Sequence, residues 1–235
     1  MAILSKPFQI VRDTRDVVSV LDFTGVDPTG ATDSSAGIQG ALDWIAALAN
    51  LPVPLESTTY SHSLYFPPGV YKVNTTLSVP NRVLMYGDGY RRVYIDGSAI
   101  SSGAVIKSSS YGSGSVNQFI AIRDMTIYGD SSGGSIDGIQ FAVFGGEISG
   151  VQIKNCGEGI YLGSTGNSNS MVETSIFNCK IHEVTNGIRG AGASKATDIR
   201  IYDNTINACD NAGILTESSG GWQVWGNNIY NCNRS

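Results

Sequence analysis

IRDMTI (122–127), ISGVQI (148–153), IFNCKI (176–181), IYDNTI (201–206) and VWGNNI (224–229) are one six-residue phrase written five times. Each copy opens and closes on an aliphatic residue, five positions apart, and successive copies lie 26, 28, 25 and 23 residues further on. The third position holds Asp124, Gly150, Asn178, Asp203 and Gly226. Only residue types that tolerate a left-handed backbone stand there, so the chain bends at one fixed phase of every repeat. A period of this length is the mark of a solenoid.

After the second aliphatic residue comes a Gly-Ile pair: Gly159-Ile160, Gly187-Ile188 and Gly213-Ile214, with Gly138-Ile139 somewhat later in the first repeat. Each repeat therefore offers three short strands separated by turns. No repeat carries a 3.6-residue apolar period over two turns, which excludes helical solenoids. An antiparallel sandwich gives no reason for identical turn chemistry at a fixed phase. Parallel stacking does, because equivalent residues then lie above one another about 4.8 Å apart. The expected fold is all-β, a right-handed parallel β-helix of three-strand coils.

Upstream the text changes. Behind Asp33, a candidate N-cap, Ile38, Leu42 and Ile45 recur at helical spacing, and Pro52 and Pro54 end the segment. LYFPPGVYKV (64–73) reads as strand, turn and strand, and VLMYGDG (83–89) as a strand closing on a turn. The expected organisation is an N-terminal arm over 1–20, a cap helix with irregular first coils over 21–118, and regular coils over 119–235.

A net charge of −5 and the lack of any basic run argue against a nucleic-acid partner. The start, MAILSKPFQIVRDTRD, holds no apolar stretch of signal-peptide length, and no segment reads as a membrane span. With 41% hydrophobic residues, a large core can be buried.

VSVLDFTGVDPTGATDSSAGIQGAL (18–42), LYFPPGVYKV and VLMYGDG, in that order, resemble the opening landmarks of the pectate-lyase-like β-helix superfamily, which includes many phage tailspikes. The resemblance covers about 18–235. It implies that the helix after Asp33 covers the N-terminal mouth of the β-helix, and that the protein is a homotrimer. The superfamily's Asn-Thr-Asp, Asp-Asp, Gly-His-Gly, Arg-Ile-Lys and Trp-Ile-Asp-His catalytic elements do not occur here, so its catalytic residues cannot be carried over.

Three sets of residues invite inspection. Cys156, Cys209 and Cys232 share one phase with Val184, which reads as an inward stack of small apolar residues with reduced thiols rather than a metal or redox site. Phe177, Tyr202 and Trp225 follow the first aliphatic residue of the last three phrases and form an outward aromatic column. Its occupant is either a neighbouring subunit or stacked sugar rings, the third alternative being ordinary partial burial.

Glycoside hydrolysis needs two carboxyl groups about 5 to 9.5 Å apart, a spacing that neighbouring coils supply. The acids to inspect are Glu147, Glu173, Asp198 and Glu217. Gln140, Tyr161, Arg189 and Glu217 are read as outward positions near the Gly-Ile strands, and Glu147 shares another outward row with Arg200. Glu158 aligns with Asn186 and Asn211 and is read as a turn residue. His62 and His182 assemble no triad.

No metal or cofactor is expected. After Ile229 the next Gly-Ile strand falls due at about residue 236. The chain is therefore expected to continue beyond Ser235. The expected function is that of a phage tailspike or receptor-binding tail protein in the virion tail. The arm would join a tail or adaptor protein, and the β-helix would hold host surface polysaccharide and degrade it if catalytic. A free polysaccharide lyase or hydrolase and a non-enzymatic adhesin or tail connector are the alternatives.

Overall fold

An aliphatic residue that recurs once per coil can leave water only if the coils above and below cover it, and parallel pairing of equivalent strands does this. The computed structural model describes residues 17–49, 62–113, 115–130, 136–163, 171–190, 196–217 and 219–233. Eight strands form a first parallel sheet in chain order: Val17–Ser19, His62–Phe66, Val83–Gly87, Ala121–Arg123, Glu147–Ser149, Ser175–Phe177, Arg200–Tyr202 and Gln223–Trp225. A second, ten-stranded sheet has two limbs.

The first limb runs through Gly69–Lys72, Val93–Asp96, Thr126–Tyr128, Gln152–Leu162, Lys180–Gly190, Thr205–Thr216 and Asn228–Tyr230. The second limb is Leu77–Val79, Gly103–Ser108 and Ile136–Phe141, continued by the far ends of the three long strands. The sequence predicts two separate strands here. Instead Gln152–Leu162, Lys180–Gly190 and Thr205–Thr216 are continuous, bent at Asn155, Glu183 and Ala208, which have φ of 55°, 57° and 54°. The last of these three strands takes one extra residue, as a register shift opposite Val184 and Asn186. That is why Ile214 comes eight residues after Ile206.

The register follows the phrase. Ile122, Ile148, Ile176, Ile201 and Val224 pair in one column, and Ile127, Ile153, Ile181, Ile206 and Ile229 in another. Nearly all are fully buried, and burial of one such side chain contributes roughly 1.5–3 kcal/mol. Val224 and Ile229, in the last coil, are 49% and 43% exposed. Cys156, Val184 and Cys209 stack inward as read, and Cys232 is half-buried.

The bend column is left-handed throughout: Asp124, Gly150, Asn178, Asp203 and Gly226 have φ of 54°, 61°, 53°, 55° and 65°. A second such column holds Phe119, Gly145, Glu173, Asp198 and Gly221. Beside the first column lies an asparagine ladder. Asn204 Oδ1 accepts from the Cys179 amide at 2.9 Å, and Asn204 Nδ2 donates to the Ile176 carbonyl at 3.0 Å. Asn227 repeats the pattern on Asn204 N and the Ile201 carbonyl.

The helix Ser35–Ala49 closes the N-terminal mouth, with Ile38, Leu42 and Ile45 fully buried. Asp33 Oδ1 accepts from Ser35 N, the first helical amide, at 2.9 Å. Gln39 satisfies an otherwise open strand edge by accepting from Ser78 N and donating to Ser78 O. Val17–Ser19 pairs with His62–Phe66 and Val20 is fully buried, so residues 17–20, assigned to the arm, belong to the first coil. The rest of the arm (1–16), and Pro52 and Pro54, lie outside the described residues. Among the described residues no helix is long and apolar enough to cross a membrane.

Truncating Asn204 to Ala strands a buried amide and a buried carbonyl. Unfolding in urea is expected to show Asn204→Ala about 2–4 kcal/mol less stable than wild type. Asn227→Ala, in the exposed last coil, should cost well under half of that. Equal losses would contradict the ladder.

Candidate functional site

The second limb presents two outward rows. Lys107, Gln140, Tyr161, Arg189 and Leu215 pair in one. Ile139 pairs with Ile160, which sets Asp137 beside Glu158 one coil on, and Glu158 pairs with Asn186. Polar side chains from four coils thus share one face.

They form a connected network. Gln140 Nε2 donates to Asp137 Oδ2 at 2.8 Å, and the Glu158 amide donates to Asp137 Oδ1 at 3.0 Å. Glu158 Oε1 accepts from Arg189 Nη1 at 2.9 Å and from Asn186 Nδ2 at 3.2 Å. Arg189 Nη2 reaches Glu217 Oε2 at 2.9 Å, while Asn211 supports Asn186 at 2.8 Å. The Arg189 guanidinium lies 5.4 Å from the Tyr161 ring centroid, and Tyr111 tilts against Tyr161 at 6.2 Å. Glu158 Oε2 and Arg189 Nε are buried with no hydrogen-bond partner among the described residues.

Burial raises the pKa of Asp137, and the neighbouring Glu158 adds to this, against hydrogen bonds from Gln140 and the Glu158 amide. Hydrogen bonds to Glu217 and Glu158 hold Arg189 more firmly protonated than usual. The face therefore combines a buried carboxyl group, a guanidinium fork and tyrosine surface. Such a face can hydrogen-bond sugar hydroxyls and seat an apolar ring face.

Tyr161, Arg189 and Glu217 are brought together, with Leu215 in the row position beside Arg189 and Glu217 reaching Arg189 from two residues further on. The other candidate acids lie outside this network. Glu173 and Asp198 have φ of 59° and 55° and stand at bends, exposed. Glu147 shares its row with Arg200 but is tied to Arg123 at 2.6 Å and to the Ser149 hydroxyl at 2.6 Å. Glu158 is no turn residue: it is a strand residue whose side chain is 12% exposed at the centre of the network. Asp137 has as its sequence signal the Gly138-Ile139 pair that immediately follows it.

The aromatic column is real, and its geometry is specific. Phe177 and Tyr202 stack at 4.9 Å and 5°, Tyr202 and Trp225 at 4.6 Å and 4°. Both faces of Tyr202 are thus covered by its neighbours, which leaves ring edges toward solvent. The same column begins with Tyr65 and Tyr86, 5.2 Å apart, and is interrupted by Arg123 and Ser149.

The sequence profile of the family described as rhamnogalacturonase A/epimerase, pectate lyase-like, matches residues 17–235. No curated protein matches at a significant level. Among solved structures, the chain is similar to the catalytic unit of a GH87 α-1,3-glucanase from Streptomyces thermodiastaticus, with 20% identity and a TM-score of 0.60 over 91% of this chain and 40% of that one. It is similar to a tailspike mutant of E. coli bacteriophage HK620 in complex with pentasaccharide, with 12% identity and a TM-score of 0.63 over 91% and 45%. It is also similar to PfbA, a surface adhesin of Streptococcus pneumoniae, with 14% identity and a TM-score of 0.57 over 91% and 62%. At these identities the likeness shows the fold. The chain spans less than two thirds of each of these structures.

A carboxyl group with a raised folded pKa binds its proton more tightly in the native state than in the unfolded chain. Asp137 therefore favours folding most below its unfolded value of about 3.9, and that contribution is lost as pH rises through the folded pKa. Asparagine keeps the shape without the titration. The melting temperature of Asp137→Asn relative to wild type should rise between about pH 3.5 and pH 7; a flat or falling difference would contradict the buried carboxyl.

Proposed function

Since the chain belongs to the rhamnogalacturonase A/epimerase, pectate-lyase-like family, we propose that it is the β-helical part of a phage tailspike or receptor-binding tail protein that holds host surface polysaccharide. The observation that carries this reading is the network on the second limb, where Asp137, Glu158, Arg189 and Tyr161 come from three successive coils to one face. Polar forks beside a tyrosine face are what an extended sugar chain lying across stacked coils requires. The fold shared with a tailspike bound to a pentasaccharide supports it. In this reading the protein is a homotrimer of the virion tail. Residues 1–16 lead toward the tail or an adaptor, and the edges of the Phe177, Tyr202 and Trp225 column pack between subunits.

Cleavage of the bound chain is a second reading, favoured by one observation. Asp137 and Glu158 stand on adjacent coils of one row, and a coil spacing of about 4.8 Å gives their carboxyl groups room for the roughly 5–5.5 Å separation of retaining glycosidases. Asp137, its pKa raised by burial, is suited to be the proton donor, and Glu158 to face the anomeric carbon.

Capsular polysaccharides and lipopolysaccharides immobilised as a panel should retain the protein, and light scattering should give a trimer. Tyr161→Ala and Arg189→Gln, checked for an unchanged fold, should weaken retention about ten- to hundredfold. Failure of the wild type to bind any of them would sink the attachment reading. For cleavage, Glu158→Gln should lower the release of new sugar ends at least about a hundredfold; a wild type that binds without releasing ends sinks cleavage alone.

A further inference from the structure

The first limb carries a second surface of different chemistry, on which the proposed function makes no claim. Its outward rows are Val70, Tyr94, Thr126, Gln152 and Lys180, and Lys72, Asp96, Tyr128, Lys154 and His182. Between them lies an open pocket of about 240 Å³ lined by Val70, Tyr94, Asp96, Tyr128 and Lys154. That is room for about one sugar residue, below the roughly 300 Å³ at which sites for larger ligands begin.

The cations here are held in place but not neutralised. Lys154 Nζ lies 5.1 Å from the Tyr128 ring centroid, and Lys180 Nζ lies 4.9 Å from that of Tyr90 while donating to its hydroxyl at 2.9 Å. The Thr126 hydroxyl donates to the Tyr90 carbonyl, which anchors that ring over the sheet. Arg91 adds a third cation 5.7 Å from the same ring. Among the described residues no carboxylate pairs with Lys154 or Lys180. The acids of this face are Asp96, which lines the pocket and accepts from Ser98 N at 3.0 Å, and Glu183, 3.7 Å from His182 Nδ1.

His182 pairs with Lys154 and lies two residues from Lys180 on its own strand, its Nε2 2.9 Å from Gln152 Nε2. Burial lowers its pKa, and Lys154 and Lys180 lower it further against the pull of Glu183. In a chain of net charge −5, this is a local excess of positive charge set around aromatic walls.

We propose that this face is a second glycan site, and that it recognises an anionic sugar residue, with Tyr94, Tyr128 and Val70 taking the ring and Lys154 and Lys180 taking its acid group. The inference rests on the reading of the protein as one that holds polysaccharide. It adds what that reading does not specify, a negatively charged substituent bound on a different face from the Asp137 network. Lysine is a compact point charge, which suits carboxylate and phosphate alike.

The probes are a tetrasaccharide of glucuronate and N-acetylglucosamine, its carboxyl-reduced neutral counterpart, and inorganic phosphate, added to the full chain. The readout is the NMR spectrum of His182, one of only two histidines, assigned with His182→Gln. The acidic tetrasaccharide should shift its signals and raise its apparent pKa, and the neutral counterpart should not. A response to phosphate without one to the uronate assigns the site to phosphate-bearing sugars.

Lys154→Met with Lys180→Met should weaken binding of the responding anion about ten- to hundredfold. Retention on polysaccharides that engage Arg189 should be unaffected. No response to either anion, equal responses to acidic and neutral sugars, or unchanged affinity in the double variant would overturn the proposal. The Arg189-dependent retention would then still stand or fall separately.

Discussion

Close contact between one coil and the next is the constraint on which everything else in this structure rests. It is close at Gly138, Gly159 and Gly187. A Cβ on Gly138 would lie 2.6 Å from the Gly159 carbonyl oxygen, one on Gly159 2.5 Å from that of Gly187, and one on Gly187 2.4 Å from that of Gly213. These backbones approach too closely for any side chain, so the glycines of these three Gly-Ile pairs keep the second limb in register. The left-handed bends do the same on the first sheet, returning the chain to its starting phase in each coil.

Register converts distance along the chain into neighbourhood. Asp137, Glu158 and Arg189 are separated by one coil each, and parallel pairing brings the Asp137 carboxyl within reach of the Glu158 amide and the Glu158 carboxyl within reach of Arg189. The same rule sets Lys154 and Lys180 around His182 on the first limb. The two limbs meet at the bends at Asn155 and Glu183, so the acidic network and the basic, tyrosine-walled pocket face different directions from one set of strands.

The repeating half of the fold was legible because its signals are strictly periodic. The aliphatic pair, the bend residues, the cysteine-valine column and the aromatic column all came out at the positions read. The site was less legible for two physical reasons. Positive φ is easily assigned to Asn, Asp and Gly but not to Glu, so the sequence does not mark the bend that Glu173 occupies. Glu158 was demoted because it aligns with asparagines, whereas Asn186 pairs with it as a strand neighbour and donates to it. Asp137 lies where the repeat is least regular, after the longer first interval. The aromatic column was visible, but not the parallel stacking that covers the faces of its rings.

The most direct test of the stacking constraint is the urea unfolding of Gly187→Ala beside Gly40→Ala. A Cβ at Gly40, in the cap helix, meets nothing within 4 Å. Gly40→Ala should leave stability unchanged or raise it by up to about 1 kcal/mol. Gly187→Ala should lower stability by about 2 kcal/mol or more, because backbone on the next coil has to move. If Gly187→Ala unfolds at the same urea concentration as wild type, the coils do not approach as described, and neither limb holds its residues in the register on which both sites depend.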